Sequence, residues 1–333
     1  MKIKKEYIVL ILVIIGLSFY LAKGRSDRTH YELPVIPSIS PASVTRMVIK
    51  EAAYTVDLLK KDGAWRIQPK NFLADESKIK SMLSAIEKMT LTVLVSNNGP
   101  YERYLLGEDK KIHLTAYEGD KVLRSFDIGK PASSNQHTFI RLDKDSRVFH
   151  VRGNLRQSFD YTIDQLRDKH VLSFETDAIK EIRVMEGDTA ILTASKEALA
   201  QEKPETTEKT KKRDDSLLPE QKPSFQWKGA DGTLQEASSI SGWISLFSNL
   251  SCDGYLDEKT KADFEGVKAL YTIQLKGGKP YTLSIFPKEK EGDQSYPALS
   301  SDNDLPFLLP DWKVDSIKSK ADDLKKPKEA KKE

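Results

Sequence analysis

The residues of this chain with chemistry to offer are five histidines, one cysteine, four tryptophans and scattered carboxylates. His30, His113, His137, His150 and His170 include no pair at the close spacing of a zinc motif, so no metal site is expected. His113 and His150 fall inside segments that read as strands, where a neighbouring strand can supply a partner. A satisfied structural histidine is the expectation for each. Cys252 has neither a second thiol nor an evident histidine partner, which argues against a disulfide and against a thiolate nucleophile. Asp302-Asn303-Asp304 opens like a calcium loop but lacks the glycine and the distal glutamate. Gly129-Lys130-Pro131 lacks the earlier glycine and the helix of a phosphate loop. Both read as turns. No Gly-x-Ser-x-Gly elbow occurs. Trp65, Trp227, Trp243 and Trp312 could line a carbohydrate platform, but the first three occupy positions that read as core. No residue is therefore assigned a catalytic, cofactor-binding or metal-ligating role. A non-enzymatic protein with no cofactor is expected.

The elements around these residues begin with an apolar stretch. Tyr7–Ala22 is uncharged, and as a helix it spans about 24 Å, short of the roughly 30 Å hydrocarbon core. Lys5 and Lys23 can snorkel and close much of that gap. A cleaved signal peptide would need a small residue three before the cut, and Tyr20 stands there for cleavage after Ala22. The expectation is a retained single-pass anchor over residues 1–23, with the body outside the cytoplasm. The charged flanks (Lys2, Lys4 and Lys5 before, Lys23, Arg25 and Arg28 after) are nearly balanced, so the short N-terminal tail decides the orientation.

Lys and Arg outnumber Asp and Glu by three, with 38% of residues hydrophobic and 31% charged. The excess lies ahead of the apolar stretch and in the last sixteen residues. A nucleic-acid partner would need a basic footprint on the body, and none is visible. Residues 24–43, with Pro34, Pro37 and Pro41, read as an extended spacer.

From Val44 the pattern is strand-like. Val44–Ile49 and Tyr54–Leu59 are β-branched and apolar. The Asp62-Gly63 pair predicts a tight hairpin into Trp65–Ile67. Asp75 is a helix N-cap ahead of the stripe Ile79, Met82, Leu83, Ile86, Met89. Strands are predicted at Leu91–Val95, Lys111–Tyr117, Lys121–Ile128, His137–Leu142 and Arg147–Val151, then a helix from Asn154 to about Lys169. The same order recurs at Ile179–Met185, Thr189–Thr193, Phe225–Trp227, a helix, Leu270–Leu275 and Tyr281–Phe286. Ile240, Trp243, Ile244, Phe247 and Leu250 repeat the five offsets of the first helix stripe. The reading is an α+β fold of two tandem β-rich units, 44–174 and 175–317. Residues 196–224 form a disordered insertion in the second unit, and 318–333 form a disordered charged tail.

Trp65-Arg-Ile-Gln-Pro69, Ala74-Asp75, the Ile79–Met89 helix, Phe126-Asp-Ile-Gly129, Thr138-Phe-Ile-Arg141 and Val148-Phe-His-Val151 together carry a likeness. The chain resembles the bacterial family called domain of unknown function 4340 (DUF4340). Val44–Phe174 looks like the family core, and the second unit like a weaker copy. The resemblance implies a protein of the bacterial inner membrane, held by one N-terminal helix and associated with an ABC-type transport system of the gliding-motility kind. It implies no catalytic residues. The leading expectation is thus a membrane-tethered, extracytoplasmic accessory protein with transporter subunits as partners. The alternatives are a glycan- or lipid-binding module using the cleft between the units, and a hydrolase whose residues converge only in the fold.

Overall fold

The computed structural model describes residues 11, 13–20, 31–198 and 225–325. The chain divides into two compact units, Met1–Asp168 and Lys169–Glu333.

The first unit contains the strands β1 (Arg46–Lys50), β2 (Thr55–Lys61), β3 (Ala64–Gln68) and β4 (Phe72–Leu73), then the helix α1 (Glu76–Glu87). Strands β5 (Leu91–Ser96), β6 (Ile112–Glu118), β7 (Lys121–Pro131), β8 (His137–Leu142) and β9 (Val148–Arg152) follow, with the short helices α2 (Leu155–Phe159) and α3 (Ile163–Leu166). The strands form one sheet in the order β4-β3-β2-β1-β6-β7-β8-β9-β5, with every pairing antiparallel. Asp62 and Gly63 adopt φ of +53° and +80° between β2 and β3. That is the mirror-image turn an Asp-Gly pair favours. Alternation then selects one face: Met47, Ile49, Val56, Leu58, Leu114, Phe126, Ile128 and Phe149 point into a shared core with Ile79, Met82 and Ile86 of α1. The Asp75 carboxylate starts α1 by accepting from the amides of Ser77 and Lys78.

In the second unit β10 (His170–Ser173) pairs with β15 (Asn249–Ser251). The larger sheet takes β11 (Glu181–Glu186), β12 (Thr189–Ala198), β13 (Phe225–Gly229) and β14 (Leu234–Gln235) before the helix α4 (Ala237–Ile244). It continues with β16 (Gly254–Tyr255), β17 (Tyr271–Lys276), β18 (Pro280–Ile285), β19 (Ser295–Ser300) and β20 (Phe307–Pro310), and the helix α5 (Asp311–Lys325) ends the described chain. Its strand order is β14-β13-β12-β11-β17-β18-β19-β20-β16. Strand for strand, this is the order of the first sheet. The register agrees as well: Trp65 lies opposite Lys60 and Trp227 opposite Lys196. Both tryptophans are buried, as is Trp243, whereas Trp312 is exposed.

Several expectations need correction. The predicted helix from Asn154 to Lys169 is two short helices, because Thr162 takes an extended conformation and opens a new capping box with Gln165. The second helix stripe ends at Ile244; Phe247 and Leu250 are buried but lie beyond the helix, Leu250 on β15. Gly129-Lys130-Pro131 is not a turn but the end of β7, after an irregularity that follows Ile128. The spacer is not free of the body. Ile39 is buried in the first core, Leu33 and Ile36 pack against it, and the Arg124 guanidinium donates to the carbonyls of Pro37 and Ile86. The first unit ends at Asp168 rather than at Phe174, because His170–Ser173 pairs with Asn249–Ser251. Residues 318–325 are helical rather than disordered, since Val314, Ile317, Ala321 and Leu324 make a buried stripe at helical spacing. Most of the insertion (199–224), the tail from 326, and residues 1–10, 12 and 21–30 lie outside the described residues. Residues 11 and 13–20 of the expected anchor are helical. Among the described residues no helix is long and apolar enough to cross a membrane.

Candidate functional site

Alternation on the first sheet leaves a second face, and its residues on β6, β7 and β8 are polar. His113 and Thr115 stand on β6, Ser125 and Asp127 on β7, and Arg141 on β8. Register sets His113 opposite Asp127, and Asp127 opposite Arg141. The segment between β5 and β6 passes over this face, with Leu106 buried and the Tyr104 ring tilted against Phe139, centroids 4.8 Å apart. It also brings Tyr101, Glu108 and Lys111 to the cluster.

Asp127, only 6% exposed, is the hub. His113 Nδ1 lies 2.7 Å from its Oδ1. Arg141 donates to Oδ2 from Nε at 3.0 Å and from its terminal nitrogen at 2.6 Å. Lys111 Nζ lies 3.6 Å from Oδ1 and 2.6 Å from Glu108. Burial works to raise the Asp127 pKa, but the bonds from His113 and Arg141 and the charges of Lys111 and Arg141 outweigh it and hold the carboxyl below its ordinary value. Arg141 is in turn held above its ordinary value: burial opposes this, and bonds to Asp127 and Tyr101 prevail. Its guanidinium sits 4.5 Å from the Tyr101 ring centroid, a cation–π contact.

With Asp127 ionised, His113 Nδ1 is the donor, and in the neutral ring Nε2 accepts. Two hydroxyls face Nε2: Thr115 at 3.2 Å and Ser125 at 3.3 Å. Hydroxyl, imidazole and carboxylate thus lie in the sequence of a proton relay. Arg141 and Lys111 share the same carboxylate, however, so it does not serve the imidazole alone. Among the described residues, the cluster lines neither a cavity of about 490 Å³ nor one of about 740 Å³.

The other sequence-named residues fall elsewhere. His137 and His150 stack at 5.7 Å, and Phe139 meets His150 edge-on at 4.4 Å. Burial first, then the neighbouring His137, pushes the His150 pKa down. His170 is on β10, Cys252 is buried just past β15, and Asp302-Asn303-Asp304 links β19 to β20. His30 lies outside the described residues. Among the described residues no group of three or more His, Cys, Asp or Glu is placed to hold a metal ion.

Arg141, Lys111, Thr115 and Ser125 were invisible as a site. The alternation of His113 with Thr115, and of Ser125 with Asp127, was the available signal, but only register joins the two pairs. Register also shows what the second sheet carries in their place. Because Ile128 pairs with Ile140 as Ile285 pairs with Ala298, the counterparts of His113, Asp127 and Arg141 are Thr272, Ser284 and Leu299. The fold therefore forms without the cluster.

Fold and site together define an α+β protein with two antiparallel nine-stranded sheets, one of which bears a charged polar face. The chain belongs to the DUF4340 family, described as a domain of unknown function, whose family model matches residues 65–268. The match begins at β3 and runs past the boundary between the units, so the family pattern is not confined to Val44–Phe174. No curated protein and no solved structure gives a significant match.

Proposed function

We propose that this chain is a membrane-tethered accessory protein of the bacterial inner membrane, built as two tandem units outside the cytoplasm. It works by contact with other proteins, with subunits of an ABC-type transport complex as its partners. One observation carries the reading. In the helical segment of residues 11 and 13–20, Ile11, Val13, Ile14, Ile15, Leu17, Phe19 and Tyr20 are each at least half exposed, from 50% to 74%. An apolar helix bare on every side has no stable place in water, at about 1.5–3 kcal/mol for each large side chain left uncovered. A bilayer removes that cost. Lys5 and Lys23 stand where snorkelling lets a short segment span.

The polar face of the first sheet supports the contact half of the reading. Tyr101 and Arg141 are residue types that anchor protein interfaces, and the second sheet does without the cluster. A topology reporter fused after Pro41 is expected to read outside the cytoplasm. In-cell crosslinking followed by extraction in mild detergent is expected to recover the ATPase and membrane-spanning subunits of a transporter, with lower yield from Arg141→Leu. Recovery of neither subunit rejects the contact reading, and a chain found wholly in the soluble fraction rejects the tether.

A further inference from the structure

In the first unit, α1 from Lys80 onward, the end of β9 and the start of α2 line an open cleft of about 490 Å³. Its lining includes three cations, Lys80, Lys88 and Arg152, and the hydroxyls of Ser81, Ser84 and Ser158, but no carboxylate. Lys80 is bridged to Glu76 at 2.8 Å, an exposed pair along the helix that is worth little. Lys88 and Arg152 have no ion-pair partner among the described residues. The end of α1 contributes about half a negative charge, which three cations outweigh. Cations gathered without a counter-charge repel one another, so an anion between them removes a cost as well as making bonds.

Nothing in the fold requires this arrangement. Aligning the two helix stripes sets Ser241 at the position of Lys80, and the second helix, which ends at Ile244, has no position matching Lys88. Strand register sets Pro310 at that of Arg152. The second unit builds the same strand order with none of the three charges.

We infer that this cleft binds the phosphate group of a phosphate ester. A carboxylate offers two acceptor oxygens, whereas a phosphate offers three or more to the Arg152 guanidinium, the Lys88 ammonium and the hydroxyls of Ser84 and Ser158 along the cleft. The volume exceeds that of a bare phosphate ion and leaves room for a small polar group esterified to it. A lipid headgroup and a soluble ester share that chemistry.

The test uses the full chain in nanodiscs of phosphatidylcholine, titrated with glycerol 3-phosphate by calorimetry, with glycerol as the uncharged control. Glycerol 3-phosphate is expected to bind and glycerol not to bind. Lys88→Gln and Arg152→Gln are each expected to weaken binding about tenfold, the loss of one charge-assisted bond. Both side chains are exposed, and unchanged amide exchange across β9 certifies the fold of each variant. Discs that include phosphatidylglycerol assign the source: competition with glycerol 3-phosphate identifies a headgroup, and its absence a soluble ester, with either outcome supporting the site. No binding, or binding that both variants leave unchanged, overturns it.

Discussion

Replacing Asp127 alone by Ser, and replacing His113, Asp127 and Arg141 together by Thr, Ser and Leu, should have opposite consequences. The triple change installs the residues found at the matching positions of the second sheet. In the single variant, Arg141 and His113 lose the acceptor that now lies 2.6–3.0 Å from their donors. Stripping one partner from a fully buried ion pair costs about 3–5 kcal/mol. Arg141 and His113 keep 20% and 28% of their side-chain surface exposed, so water restores part of the loss. The expected cost is about 2–3 kcal/mol. The triple variant leaves no donor stranded and adds an apolar side chain, so it should lie within about 1 kcal/mol of the parent. A chain of two units has no single unfolding free energy, so the assay is amide exchange followed on β6 and β7. The single variant should exchange there roughly thirty- to 160-fold faster, at 1.36 kcal/mol per tenfold. If the triple variant exchanges as fast as the single one, Asp127 is not the hub of a self-contained cluster and the reasoning fails.

Gly129→Ala should loosen the segment that crosses the polar face, because a Cβ there would overlap the Tyr104 carbonyl oxygen and press on Leu106. A cost of about 1–3 kcal/mol is expected, read as a lower thermal midpoint and faster exchange at residues 101–106. For His150, burial and His137 depress the folded pKa, so the unfolded chain binds more protons. Stability is then full above the unfolded value of about 6.5 and falls as the pH drops below it toward the folded pKa. Denaturant midpoints measured between about pH 7.5 and pH 5 should fall in the parent, and His150→Phe should flatten that fall. An equal fall in both proteins would place the titration elsewhere.

The apolar alternation of Met47 with Ile49, the Asp62-Gly63 turn, the Asp75 cap and the five-offset helix stripe are local signals, and each is legible in the sequence. What was illegible depends on partners far along the chain. Asn154–Lys169 carries one helical periodicity, yet Thr162 gains more by capping a new helix with Gln165 than by continuing the old one. Lys318–Lys325 is rich in charge and reads as solvated, but Ala321 and Leu324 extend the buried stripe of Val314 and Ile317 and dock it as helix. The polar cluster was hidden for the same reason. His113 and Asp127 are fourteen residues apart, and nothing in their spacing gives the register that sets them 2.7 Å apart.

The two sheets share an order and a pattern of inward apolar residues because each must bury a helix stripe against one face. No such demand acts on the outer face or on the exposed flank of the helix. There the units diverge: His113, Asp127 and Arg141 against Thr272, Ser284 and Leu299, and Lys80 and Arg152 against Ser241 and Pro310. A partly buried charge cluster contributes little net stability over uncharged residues of similar size, and unpaired cations at one cleft detract from it. Features that the same fold stands without, and that folding does not reward, are best explained by what they meet outside the chain. The first unit is therefore where binding partners of this protein are to be sought.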